Sequence, residues 1–347
     1  MNKDICIGTG LVALDVILNG KPETPPKFHA GGSCGNVLSI LSYLGWSSYP
    51  VARLAKNAAT KEIEKDFKKW EVQTSLISKT EEGSTPIIIH RILRDKNGNP
   101  KHRFEFKDPD TAAWLPQYKP VLSKEVDSIV DKQPNAKVFY FDRINRSSID
   151  LAKANKANGA VIFFEPSSIG TNEKAFNECL QVADIIKFSI DRISNYAKLF
   201  PKQQVCLEIE TVGKEGIRYR YSKEKKASNW SNVKPYIIKD AIDSAGAGDW
   251  CSAGIIDKLC KQGQKSFDSS SAESVKSALQ YGQLLGALNC CFDGARGIMY
   301  NIAKNDFSKL VKKIQTTNSL DLTKVEFPKA ISIVKRKPIQ ISSLYTS

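Results

Sequence analysis

Asp240-Ala241-Ile242-Asp243-Ser244-Ala245-Gly246-Ala247-Gly248-Asp249-Trp250-Cys251-Ser252-Ala253-Gly254 is the stretch around which the chain is organised. Residues 230–239 before it have the apolar and β-branched content of a strand, and residues 249–262 after it read as a helix that stops at Gly263. A strand therefore enters a small-residue turn that opens a helix. The side chains of the turn are too small to cover its backbone, so the N–H groups of Ala245, Gly246, Ala247 and Gly248 can converge on an anion at the positive end of the helix dipole. Asp249 falls in the first helical turn beside this cradle, where a carboxylate can accept the proton of a hydroxyl attacking a bound phosphoryl group. An ordinary strand-turn-helix with a capping aspartate is the competing reading.

Asp243-Ser244-Ala245-Gly246-Ala247-Gly248-Asp249 resembles the D-T-x-G-A-G-D signature of the ribokinase-like (PfkB) family of sugar and nucleoside kinases, with serine in place of threonine. Some two hundred residues earlier, His29-Ala30-Gly31-Gly32-Ser33-Cys34-Gly35-Asn36 precedes a helical pattern over residues 37–44. Its paired glycines let the backbone approach a ligand, and Asn36 offers both a donor and an acceptor. This segment is similar to the family's G-G-x-x-x-N substrate motif. Residues 5–14 form an apolar run broken by Gly8 and Gly10 and closed by Asp15, which reads as a first strand delivering a carboxylate at its end. The resemblance implies an α/β, ribokinase-like, doubly wound and mostly parallel sheet flanked by helices, with a small β lid. It further implies Asp249 as base and Ala245, Gly246, Ala247 and Gly248 as anion hole. Asp15, Gly31, Gly32 and Asn36 would hold the acceptor, and Asp243 would help a monovalent cation such as K⁺.

The 347 residues suffice for a substantial core, and 41% hydrophobic with 9% aromatic content is ordinary for a globular chain. The formal charge of +14 comes from 51 basic against 37 acidic side chains. These basic residues are scattered and lack interleaved stacking aromatics, so a lysine-rich surface is expected and no nucleic-acid partner. No stretch approaches a membrane span, and the eight cysteines show no C-x-x-C. A cytoplasmic chain with reduced thiols and no membrane partner is expected. His29, His90 and His102 are too separated for a zinc constellation.

Residues 51–77 read as strand, helix (59–70), strand, with Ala52-Arg53-Leu54-Ala55-Lys56-Asn57 where the family commonly has a glycine-aspartate turn. Residues 85–94 and 101–106 are β-rich runs joined by a hairpin turn at 95–100. Inserted outside the βα alternation, they are similar to the family's lid, which with residues 11–28 would cover the sugar site and offer a homodimer contact. From residue 136 βα alternation is regular, with strands at 136–141, 161–164, 183–188 and 205–209 and helices at 147–159, 172–182 and 191–200. Polar residues close these strands: Arg143, Glu165, Ser189 and Thr211. Such strand ends build the site of a doubly wound sheet, and Arg143 suits an anionic substrate group.

Thr211-Val212-Gly213-Lys214-Glu215-Gly216 resembles the family's T-x-G-x-x-G segment along ATP, implying nucleotide contacts at Thr211, Gly213 and Gly216. Lys187-Phe188-Ser189-Ile190-Asp191-Arg192 departs from the family's N-x-x-E pattern, which organises Mg²⁺ and phosphate. Ser189 and Arg192 stand at those two places, leaving Lys187 and Ser189 as nucleotide contacts and Glu165 as the compensating metal carboxylate. Gln283 and Asn289, on an amphipathic segment at 274–291, are further candidates for the nucleotide. Residues 304–315 suggest a last helix, so 1–325 reads as one kinase domain and 326–347 as an irregular tail. The expected activity is ATP-dependent phosphorylation of a hydroxyl on a sugar or sugar acid. A nucleoside kinase and a catalytically silent ligand-binding protein are the alternatives.

Overall fold

The computed structural model describes residues 3–18, 25–94, 100–226, 229–239, 241–317, 321–323, 325–327 and 340–346. The first apolar run does not form one strand. Gly10 takes φ +134°, and a side chain there would overlap the carboxylate of Asp142. β1 (Ile5–Thr9) therefore stops, and the chain restarts as β2 (Ala13–Leu18). Asp15 lies inside β2 rather than at the end of the first strand, which corrects the sequence expectation.

Next come β3 (Lys27–Gly31), the helix Gly32–Tyr43, β4 (Ser47–Ala55), the helix Ala58–Lys69 and β5 (Ile77–Thr80). Asn57 starts the second of these helices by accepting the N–H of Thr60 at 3.0 Å. β6 (Ile87–Arg94) and β7 (Pro100–Glu105) follow, although residues 95–99 of the turn expected at 95–100 lie outside the described residues. The remaining strands are β8 (Val138–Phe141), β9 (Val161–Phe164), β10 (Ile185–Ser189), β11 (Leu207–Thr211), β12 (Ile217–Tyr221) and β13 (Ser231–Val233).

Among the described residues, the main sheet has the order β13-β12-β11-β10-β9-β8-β1-β4-β5. Its strands from β11 to β5 are parallel, while β12 and β13 add antiparallel at one edge. β8 and β9 read Val-Phe-Tyr-Phe and Val-Ile-Phe-Phe and are buried throughout, as expected for strands covered by helices on both faces. Alternate residues of these strands enter two different apolar clusters: Tyr140 and Phe163 join one, Phe139 and Phe164 the other. A second sheet, in the order β3-β2-β6-β7, stands apart from the alternation.

Two expectations change, and one strand is new. β12 carries no helix-strand alternation and has no counterpart in the sequence reading. The strand expected at 230–239 shrinks to β13, since Pro235 cannot donate to a ladder. The helix expected at 191–200 is the single turn Tyr196–Leu199, because the N–H groups of Arg192 and Ile193 both return to the carbonyl of Ser189.

Within the stretch read as an irregular tail, residues 328–339 lie outside the described residues, whereas Ile341–Leu344 forms a 3₁₀ turn with Ile341 and Leu344 buried. Tyr345 then donates its hydroxyl to Asp108 Oδ2 at 2.8 Å, a carboxylate that also accepts the N–H groups of Asp110 and Thr111. Tyr345→Phe should cost about 1 kcal/mol of stability, read as a lower urea midpoint with an unchanged slope. No helix of the described residues is long and apolar enough to cross a membrane.

Candidate active site

The main sheet grows in one direction from β1 through β4 and in the other through β8, so the carboxyl ends of β1 and β8 flank a topological switch point. Asp142, directly after β8, ties this point together. Its Oδ1 accepts the N–H of Leu11 at 2.8 Å and its Oδ2 that of Cys34 at 3.1 Å, anchoring both the β1–β2 turn and the start of the helix Gly32–Tyr43. Arg143 is half-buried, donating to the Asp142 carbonyl at 2.9 Å and lying 6.0 Å from the Tyr118 ring.

Gly31 and Gly32 serve Asp15. A side chain on Gly31 would overlap the Asp15 carboxyl, which instead accepts the Gly32 N–H. Burial pushes Asp15 up to about 7, opposed by the nearby Arg296 guanidinium and that backbone bond. One turn further, Asn36 donates from Nδ2 to Asp249 Oδ2 at 2.8 Å, while its buried Oδ1 has no partner among the described residues. The two sequence motifs, more than two hundred residues apart, thus meet through one hydrogen bond.

The signature turn is narrower than expected. Gly246 adopts φ +69°, and a side chain there would overlap the Ala295 carbonyl. Ala247–Leu259 then forms the helix. The N–H of Ala245 is already bonded to Asp243 Oδ1 at 2.9 Å, and that of Ala247 reaches the Ser244 carbonyl at 3.3 Å. Gly246 and Gly248 keep N–H groups without a partner among the described residues, so the expected four-amide hole is corrected to two of its members. Asp243 also accepts the Gly294 N–H at Oδ2, 2.8 Å away. Both its oxygens therefore latch backbone, where the sequence reading gave it a cation.

Asn289 is a second correction. It is fully buried, and its Nδ2 faces the carbonyls of Ala245, Gly294 and Ala295 at 2.9, 3.2 and 3.2 Å while its Oδ1 accepts the Ile298 N–H at 3.3 Å. It braces the back of the turn instead of meeting a nucleotide. Asn289→Ala should cost about 1–3 kcal/mol, the scale for stranding buried polar groups, seen as a lower denaturation midpoint.

Part of the surface of Asp249 stays exposed, but its carboxyl is crowded by protein. Burial, reinforced by the charge of Glu165, pushes it up to about 8 against the opposing Asn36 bond and the cations Lys187 and Arg192. Glu165 pairs through Oε1 with Lys187 and accepts at Oε2 from Tyr140 at 3.0 Å and from Ser252 at 2.5 Å. It is thus committed to protein partners where metal binding was expected. Among the described residues no group of three His, Cys, Asp or Glu side chains is arranged to hold a metal ion.

Along the nucleotide edge expected from the sequence, Ser189 and Thr211 are direct neighbours across β10 and β11. Gly213 and Gly216 take φ +52° and +103° in the following turn. A Cβ on Gly216 would meet the Gln283 amide nitrogen at 3.1 Å, and Gln283 Oε1 is buried without a partner among the described residues. Gly216 and Gln283 therefore adjoin, whereas Asn289, six residues along the same helix, points to a different face.

The sequence reading missed four contributors. Asp142 was masked by the more conspicuous Arg143 beside it. Ser252 was legible as the i+3 neighbour of Asp249 on one helix face. Tyr140 reads simply as part of an apolar strand. His90, from β6, is buried with Nε2 3.9 Å from Asp243 Oδ2, a placement that strand alternation alone does not decide.

Against known proteins, the profile described as "pfkB family carbohydrate kinase" matches residues 9–300. The search of curated proteins returned no match. Among solved structures, the ATP-bound fructokinase of Xylella fastidiosa is similar over 91% of this chain and 100% of its own, with TM-score 0.66 at 17% identity. A sugar kinase of Pyrococcus horikoshii matches over 91% and 100%, with TM-score 0.63 at 20% identity. The nucleoside kinase of Methanocaldococcus jannaschii matches over 85% and 94%, with TM-score 0.58 at 15% identity.

Proposed function

We propose, starting from a chain that belongs to the pfkB family of carbohydrate kinases, that it transfers the terminal phosphoryl group of ATP to a hydroxyl of a sugar or sugar acid. The observation that carries this reading is the Asp249 carboxylate. One of its oxygens is held by Asn36, and it follows in sequence the Gly246 and Gly248 N–H groups left unspent among the described residues, at the positive end of a helix. Asp249 takes the acceptor proton, and the two amides offset charge on the transferring group. Asp15, Asn36 and the Gly31-Gly32 backbone orient the acceptor, with Arg143 available to a substrate carboxylate. Lys187, Ser189, Thr211, Gly213, Gly216 and Gln283 line the nucleotide side.

Mg²⁺ at nucleotide sites takes one or two carboxylates together with phosphate oxygens. Glu165 and Asp243, the carboxylates assigned to metals by sequence, both have their oxygens engaged by protein donors. Neither carboxylate therefore fits a dedicated metal ligand, and no step is derived through Mg²⁺ or K⁺.

The second sheet acts as the lid of this reading, with His90 bringing it against the signature turn. It also supplies a homodimer surface, since Phe104, Phe106 and Trp114 are 48%, 50% and 64% exposed at or just beyond β7, the edge strand. Phe104→Lys with Phe106→Lys should halve the sedimenting mass. The largely buried cysteines fit a reducing cytoplasm.

The test is ATP consumption against a panel of sugars, keto-sugar acids and nucleosides. Turnover on a sugar or sugar acid is expected. Turnover on nucleosides alone would replace the acceptor class, and ligand-induced thermal shifts without turnover would make the protein a silent binder.

A further inference from the structure

Four elements send a side chain to one buried point under the signature turn. Tyr140 comes from β8, Glu165 from the end of β9, Lys187 from β10 and Ser252 from the helix Ala247–Leu259. The two hydroxyls grip Glu165 Oε2, and Glu165 Oε1 grips the Lys187 ammonium. Lys187 is 2% exposed. A methyl group placed on Gly248 would lie 3.6 Å from Lys187 Nζ and 3.9 Å from Glu165 Oε1. The ammonium therefore sits against Gly248, a residue of the turn that is exposed and has an unspent N–H among the described residues.

A buried ion pair is poor value for stability alone, because desolvating two charges offsets most of their attraction. An ammonium has three donors, and among the described residues this one is bonded only to Glu165. Two donors remain, and the absent side chain at Gly248 leaves the ammonium close to where an anion on the turn would rest.

Building on the kinase reading above, we infer that Lys187 is a built-in cation of the phosphoryl-transfer site and that Glu165, fixed by Tyr140 and Ser252, is the residue that positions it. The incoming phosphate takes the unspent donors while Glu165 keeps the third. The ammonium stays charged throughout, since its carboxylate partner raises its pKa against the effect of burial.

Equilibrium titration with ATP and with AMP tests this without requiring turnover. Lys187→Met should weaken ATP by at least tenfold and leave AMP within about twofold. Because that variant strands Glu165, the double variant Lys187→Met/Glu165→Gln serves as control: it should recover thermal stability but not ATP affinity. Equal losses for ATP and AMP, or full ATP affinity in the double variant, would overturn the inference while leaving the kinase reading intact. No ATP binding by the wild type would remove both.

The acid limb of kcat/KM gives the positioning readout. Asp249 faces Asn36 and Cys34 from the helix Gly32–Tyr43, Tyr140 from β8, Glu165 from β9, and Lys187 and Arg192 from β10 and its turn. Glu165→Gln should move the limb to lower pH and Lys187→Met to higher pH. Shifts in the same direction, or none, would contradict the arrangement.

Discussion

Asp249→Asn should lower kcat by about 10²–10⁴-fold, the range for loss of a positioned general base, with ATP affinity little changed because the amide still fills the same volume. The wild-type kcat/KM should climb with pH to a plateau above about 8, where Asp249 becomes ionised. The variant should lose that limb. Stability moves the other way. Folding raises this carboxyl from 3.8 to about 8, so between those values the folded chain holds a proton that the unfolded chain has released. Stability from this group is full below pH 3.8 and declines as pH rises through 8. Asp249→Asn removes the decline, and its melting temperature should exceed that of the wild type at pH 9 although the enzyme is nearly dead. Matching activities at pH 9 would exclude Asp249 as the base.

Gly246→Ala and Gly248→Ala should separate the two duties of the turn. At Gly246 the left-handed conformation alone costs a side chain about 1–2 kcal/mol, and overlap with the Ala295 carbonyl adds to it. That variant should lose both stability and activity. At Gly248 a methyl group meets Lys187 and Glu165 only at ordinary contact distance, so the fold should survive. It would nevertheless occupy the approach to a free N–H, and donors of this kind are worth about 10²–10³ in kcat. A Gly248→Ala enzyme with near-normal melting and near-normal kcat would place the transferring phosphate elsewhere.

How much was legible follows from the range of the forces involved. The βα alternation from residue 136 to 189 was read within a few residues, because continuous apolar strands such as Val161–Phe164 and capped helices carry local signals. The small-residue turn before Asp249 was equally local. Gly10 was visible as a break, but its consequence depended on Asp142, more than a hundred residues away, so Asp15 was misplaced on the first strand. Asn289 looked like a nucleotide ligand since an amide side chain in sequence does not show which carbonyls it will face. The duties of Glu165 and Lys187 were undecidable for the same reason: Glu165 is defined by partners on three other elements, and Lys187 by Glu165.

The most direct measurement is the single-turnover rate of phosphoryl transfer from saturating ATP, followed from pH 6 to 10 in the wild type and in Asp249→Asn. A rate that climbs toward a plateau above about pH 8 in the first, and is flat and about 10²–10⁴-fold lower in the second, is the predicted result. Superimposable profiles would show that the proton leaves the acceptor without the help of this carboxylate.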